Sequence, residues 1–120
     1  AMIEGLRADG GGDVGVTLFD RTFAIARAGA GLVPADSRII LTEGNYLLLD
    51  EAPWSSLAPL FDLSVMIDVD RAELEKRLIG RWLDHGHDRD AAERRARDND
   101  MVNAECVLSG SRPPDILWQS

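Results

Sequence analysis

The chain has 120 residues, 45% of them hydrophobic, which suits one domain with a real core. Its formal net charge of −8 and pI near 4.6 argue against nucleic-acid backbones and anionic membranes as main partners. Cys106 is the single cysteine, so no internal disulfide can form and a reducing, cytoplasmic setting is expected. No apolar run approaches a membrane span, and the N-terminus has neither the basic start nor the apolar run of a signal peptide.

Met2, Ile3 and Leu6 stand at helical spacing and predict a short helix over residues 2–8. A Gly-rich loop follows. Gly10-Gly11-Gly12-Asp13-Val14-Gly15-Val16-Thr17 fits the phosphate-cradling pattern G-x-x-x-x-G-K-[ST] except that Val16 replaces the lysine. That lysine carries the charge that reaches the phosphates, and no apolar strand precedes the glycines, so this stretch reads as a surface turn. Residues 16–19 read as extended. A helix is predicted over residues 20–30, with Phe23, Ile25, Ala26 and Ala30 for packing, ended by Gly29, Gly31 and Pro34. Asp20 either caps that helix or, with Arg21, faces a pocket.

The densest signal is Ile39-Ile40-Leu41-Thr42-Glu43-Gly44-Asn45-Tyr46-Leu47-Leu48-Leu49-Asp50. Its aliphatic opening reads as a strand buried on both faces, ending at Glu43. Open α/β sheets bind ligands at that edge, where a carboxylate can meet Mg²⁺ beside a phosphate. A capping role for Glu43 in the next turn is the plain alternative. Residues 55–60 read as a short helix and Leu63 to Val69 as a second strand. Asp70 and Glu73 resemble a capping box for the helix over residues 71–85. Leu74, Leu78, Ile79, Trp82 and Leu83 form that helix's apolar stripe. Arg77 and Arg81, four apart, share another face, which suits an anion or is simply a solvated basic surface.

His85 and His87 lack a third ligand and read as a surface loop. Asp88 caps a further helix over residues 89–104, whose face of Ala and Arg packs lightly. A loop over residues 110–114 and a terminal strand over residues 115–118 close the chain. The alternation argues an α/β domain with a mainly parallel sheet. A hydrolase using Glu43 with Asp50 or Asp68 is another reading, though no matched ligand cluster accompanies them.

Residues 42–50, Thr-Glu-Gly-Asn-Tyr-Leu-Leu-Leu-Asp, resemble the signature of small-molecule kinases in the uridine kinase, pantothenate kinase and phosphoribulokinase group. The bacterial fructose transport system kinases, or nucleoside/nucleotide kinase family proteins, look closest. Leu18-Phe19-Asp20-Arg21, the stretch from Leu78 to Gly86, and Asn99-Asp100-Met101-Val102-Asn103-Ala104 agree with it. Pro114-Asp115-Ile116-Leu117-Trp118 looks like the family's C-terminus. Thr17 departs from the family's usual proline before the Phe-Asp-Arg motif.

The resemblance implies a P-loop NTPase-type, mainly parallel sheet flanked by helices. It implies ATP-dependent phosphoryl transfer to a small hydroxylated metabolite, with ATP and Mg²⁺ as cofactors. By the same resemblance Glu43 lies beside Mg²⁺, and Arg77 and Arg81 belong to a lid over the phosphates. Phe19, Asp20 and Arg21 line the acceptor side, Asn45 and Tyr46 sit near the substrate, and Arg112, Pro113 and Pro114 lie beside adenine. The family's phosphate-loop strand and its lysine have no counterpart here, so residues 1–120 align with the C-terminal part of a single kinase domain. A kinase needing the remaining part is one reading; a non-catalytic, assembling α/β remnant is the other.

In that fold the phosphate-loop strand lies between the Glu43 strand and the Leu63 to Val69 strand. Without it both expose ladder groups and apolar faces, so strand re-pairing, homo-oligomerisation or marginal stability is expected. Sedimentation velocity across a concentration series, with a urea melt beside it, checks this: self-association or a low unfolding midpoint is the expected outcome, and a strictly monomeric, highly stable chain opposes it.

Overall fold

The computed structural model describes residues 2–7, 12–20 and 25–120, and the chain divides into two units, residues 1–43 and residues 44–120. In chain order the first holds helix α1 (Met2–Arg7) and strands β1 (Val14–Asp20) and β2 (Ile25–Val33). The second holds a 3₁₀ helix (Trp54–Leu60), β3 (Val65–Asp68), α2 (Arg71–Asp84) and α3 (Arg89–Arg95). A π-helical turn (Ala96–Asp100), α4 (Met101–Gly110) and β4 (Ile116–Gln119) complete it.

β1 and β2 form an antiparallel ladder from Val14↔Val33 to Asp20↔Ile25, with a register irregularity between Val16 and Leu18. Asp13 Oδ1 accepts from the Ala35 amide at 2.8 Å, fastening the open end of the ladder. The helix expected over residues 20–30 is therefore corrected for its described part, since residues 25–30 are strand and residues 21–24 lie outside the description. Glycine disfavours a helix interior by about 1 kcal/mol, and this segment has Gly29 and Gly31. Gly29 moreover adopts φ +66°, which no right-handed helix accommodates. Pairing with β1 supplies the backbone bonds a helix would have made. Val14 to Thr17 also run as strand, so no helix follows the glycines as a phosphate loop requires; Gly10 and Gly11 lie outside the described residues.

The strand expected to open at Ile39 is likewise corrected. Residues 39–43 have no regular secondary structure, and Ile39 and Leu41 are 89% and 93% exposed. A strand buried on both faces exists only between neighbours that complete its ladder. No described residue pairs with this run. Glu43 accordingly stands in irregular backbone, not at a strand's carboxyl end.

In the second unit β3 and β4 pair in parallel, from Val65↔Ile116 to Asp68↔Gln119. The helices between them make the long crossover that a parallel pair demands. Asp115 sets the register. Its Oδ2 accepts from the Ser64 amide at 2.7 Å and the Ser64 hydroxyl at 2.9 Å. At the other end Gln119 Nε2 donates to Asp68 Oδ2 at 2.7 Å.

Asp70 caps α2 as expected, accepting from the Ala72 and Glu73 amides at 3.0 and 3.4 Å. Gly86, at φ +88°, supplies the left-handed step after the helix. Ile79 from the apolar stripe packs against Ala92 and Ala96, both 0% exposed, with Leu78 and Trp82 alongside. At this contact the small alanines are fully covered, while most of residues 89–104 are half-buried or exposed. Asp88 caps α3 through the Ala91 amide at 2.8 Å. The charged helix runs beyond residue 104, through the π turn and α4 to Gly110.

Among the described residues no large side chain is fully buried, so this small cluster carries much of the unit's packing. Ile79→Ala should lower unfolding free energy by about 2–3 kcal/mol, and Leu83→Ala by less than about 1 kcal/mol. Urea unfolding of the two variants checks the ranking.

Candidate functional site

The turn at residues 45–48 is held from both sides. The Leu49 amide donates to the Tyr46 carbonyl at 3.0 Å. Across the strand-like bridge Leu49↔Ser111, the Asp50 amide donates to Gly110 and the Arg112 amide to Leu48, at 2.8 and 2.9 Å. Leu48 and Leu49 are buried at this junction. Tyr46 packs on Trp54 with ring centroids 5.7 Å apart, while Asn45 is exposed. The structure thus joins the Asn45–Tyr46 turn to the Arg112 loop through backbone bonds. Pro113 is exposed and Pro114 half-buried in that loop. Arg112 Nη1 and Ser111 Oγ are buried and have no hydrogen-bond partner among the described residues. A buried guanidinium N–H without an acceptor is a donor left for a ligand.

Arg77 and Arg81 share a face of α2, yet each leans on a different neighbour. Arg77 Nε donates to Glu73 Oε1 at 2.9 Å and Nη1 to the Ser120 hydroxyl at 3.2 Å. Arg81 Nη2 donates to Asp100 Oδ2 at 3.3 Å, and its guanidinium carbon lies 5.3 Å from the Trp82 ring centroid. The Trp82 indole N–H donates to the same Asp100 oxygen at 2.6 Å. Arg95 lies over that ring too, at 5.0 Å. Each of the two helix arginines is held on one side by an acid and remains exposed on the other. Arginine carries five N–H donors, so most stay free for an anion.

Asp100 was not among the residues singled out by chemistry. Its signal lay in the Asn99-Asp100 stretch, but the link to Arg81 spans 19 residues and depends on the π turn. His85 Nδ1 sits 2.6 Å from the Arg81 carbonyl and the His87 ring packs edge-on to Trp82, as a structural loop would.

Phe19 and Asp20 lie in β1, paired with Ala26 and Ile25, and Arg21 falls outside the described residues. Glu43 is exposed. The described residues hold no group of three His, Cys, Asp or Glu suited to a metal ion. Glu43 therefore offers one carboxylate and no cage.

Two carboxylates among these contacts titrate low. The amide and hydroxyl of Ser64 hold Asp115 below the usual carboxylate range. The Arg77 hydrogen bond, then the Lys76 charge, does the same for Glu73.

A crystal structure of a candidate fructose transport system kinase from a Silicibacter species superposes with a TM-score of 0.83 at 44% identity, over 89% of this chain and 52% of that one. A candidate P-loop kinase with a circular permutation, from Saccharomyces cerevisiae, superposes at 0.72 with 24% identity, over 90% of this chain and 35% of that one, and shows the fold alone. The fold is that of part of a P-loop kinase, an α/β arrangement with a small parallel sheet flanked by helices.

In sequence, a candidate uridine kinase of Schizosaccharomyces pombe is 37% identical over 90 residues, covering 72% of this chain and 38% of that protein. The chain is a homologue of uridine kinase-like and ATP-dependent kinase-like proteins of the P-loop kinase family. No family model matches it. It spans about half the length or less of the relatives it matches.

Because Asp115 and Glu73 have folded-state pKa values below their unfolded ones, their stabilisation is complete above the ordinary carboxylate range and is lost as pH falls through the folded values. The melting temperature should hold steady down to about pH 5 and decline toward about pH 2. Asp115→Asn should flatten part of that decline, as followed by circular dichroism.

Proposed function

We propose that this chain forms part of a kinase that transfers the γ-phosphoryl group of ATP to a small hydroxylated metabolite, a sugar, nucleoside or pantothenate-like acceptor. The observation that carries the reading is the α2 face of Arg77 and Arg81 in a chain homologous to kinases. Both guanidinium groups are oriented by acids yet exposed. Such forks balance the charge that spreads over phosphoryl oxygens in the transition state.

In this reading Arg112 Nη1 donates to the nucleotide beside Pro113 and Pro114, and the Asn45–Tyr46 turn faces the acceptor. Phe19, Asp20 and Arg21 line the acceptor side. Glu43 supplies one carboxylate to Mg²⁺ that arrives with ATP, the phosphates and water being the other ligands. The lysine-bearing phosphate loop comes from sequence that these 120 residues do not contain.

A specific observation also favours a non-catalytic, assembling role for the chain by itself. Residues 39–41 stand exposed and pair with none of the described residues, and Glu43 lies in irregular backbone. Kinase chemistry in this reading requires a partner segment that restores that ladder.

The test joins this chain to the segment of the Silicibacter kinase that it leaves unmatched. The chimera should bind MgATP by titration calorimetry and phosphorylate an acceptor from a sugar, nucleoside and pantothenate panel. Arg81→Ala and Glu43→Gln should each cut turnover by about 100-fold or more. A chimera with native-like circular dichroism that binds no MgATP at millimolar concentration would overturn the proposal.

A further inference from the structure

We infer that Asp100 is a positioning residue for Arg81, holding its guanidinium through a carboxylate shared with the Trp82 indole N–H. The inference rests on the kinase reading for its purpose, though not for its geometry.

Three observations meet at Asp100. Asp100 Oδ2 accepts from Trp82 Nε1 at 2.6 Å and from Arg81 Nη2 at 3.3 Å. Asp100 is largely sheltered, with its side chain 13% exposed, whereas Arg81 is 53% exposed. Asp100 closes the π-helical turn Ala96–Asp100, in which the Met101 amide reaches back to the Ala96 carbonyl.

The π turn has a geometric consequence. It inserts an extra residue into one helical turn and so rotates everything beyond it. Ala92 and Ala96 pack against Ile79, so α2 and this helix are already in register at that point. The wider turn then carries Asp100 to the level of Arg81 and Trp82. π turns of this kind commonly mark functional positions.

The short indole bond fixes the carboxylate, and the carboxylate in turn fixes the arginine. Trp82 is bound to the core cluster, so it is a rigid anchor. The Trp82 ring adds a second restraint on Arg81, since cations favour the aromatic face. Arg95 lies over the same ring and adds a like charge. Asp100 engages one Arg81 nitrogen, and the remaining donors stay available on the exposed side. An arginine whose position is fixed beforehand loses less freedom when a phosphate arrives than a free one does.

The experiment is nitrogen-15 NMR on the full chain, with indole and guanidinium resonances assigned by Trp82→Phe and Arg81→Lys. In the wild type, the Arg81 Nη signals should be resolved by hindered rotation. The Trp82 indole proton should exchange at least about tenfold more slowly than that of the exposed Trp118. Asp100→Asn keeps a side-chain oxygen for the indole but removes the charge. It should collapse the Arg81 signals to one average and leave Trp82 protection within about threefold. Asp100→Ala should abolish both signatures. The Ser64 amide shift, set by Asp115, reports that each variant stays folded.

Averaged Arg81 signals in the wild type, or resolved signals that survive Asp100→Asn, would overturn the inference. The chimera separates the kinase reading from the Arg81–Asp100 geometry. If it binds no nucleotide while these signatures hold, the kinase reading fails and the Arg81–Asp100 geometry stands. If it is active while the signatures are missing, the kinase reading stands and Asp100 has no positioning role.

Discussion

The parallel pairing of β3 with β4 is the constraint on which the second unit depends. Four residues in the middle of the chain meet four near its end, and everything between them must return to the same sheet. Parallel strands cannot be joined by a tight turn, so the crossover is spent on α2, α3, the π turn and α4. The register is fixed by side chains at both ends. Asp115 receives both Ser64 donors at one end, and Gln119 reaches Asp68 at the other. Arg77 then bonds the Ser120 hydroxyl, so the candidate anion face of α2 is tied to the end of β4. Sheet register and arginine placement are thus linked through a few polar contacts.

The core of this unit is built differently from a large aliphatic core. Ala92 and Ala96 are fully buried and small, which brings two helix backbones close and leaves Ile79 to fill the gap. Close approach makes short side chains effective across the helices. Asp100 can reach both Arg81 and Trp82, and Arg97 can bridge to Glu75 at 2.5 Å. Such exposed ion pairs contribute little individually. Their value here is directional: they set where guanidinium groups lie.

Local, short-range signals were the legible ones. Asp70 and Asp88 cap helices where their positions predicted, Gly86 stops α2, and Leu63 to Val69 contains β3. The terminal strand was legible from Ile116 to Trp118. The family resemblance also identified the kinase group, because several spaced motifs agree at once. Contacts that join distant parts of the chain were hidden. Nothing in the spacing of Asp100 announces its bond to Trp82, and nothing near Ser111 announces the bridge to Leu49. The segment from Ile25 to Val33 failed for a related reason. Its apolar residues allowed a helix, while Gly29, Gly31 and the ladder with β1 decided against one.

Residues 39–43 carry the same lesson to the candidate site itself. Ile39, Ile40 and Leu41 have the composition of an interior strand, yet all are exposed. Composition specifies what a segment can become, while a ladder requires a partner with unpaired donors and acceptors of its own. Immediately after this run the chain behaves otherwise. Leu48 and Leu49 are buried, and their backbone meets Gly110 to Arg112. One continuous motif therefore divides at Gly44 into an unpaired half bearing Glu43 and a docked half bearing Asn45 and Tyr46. Groups that rest on contacts within residues 44–120 are already ordered: Arg77, Arg81, the Asn45–Tyr46 turn and the Arg112 loop. Glu43 depends on a ladder that none of the described residues supplies.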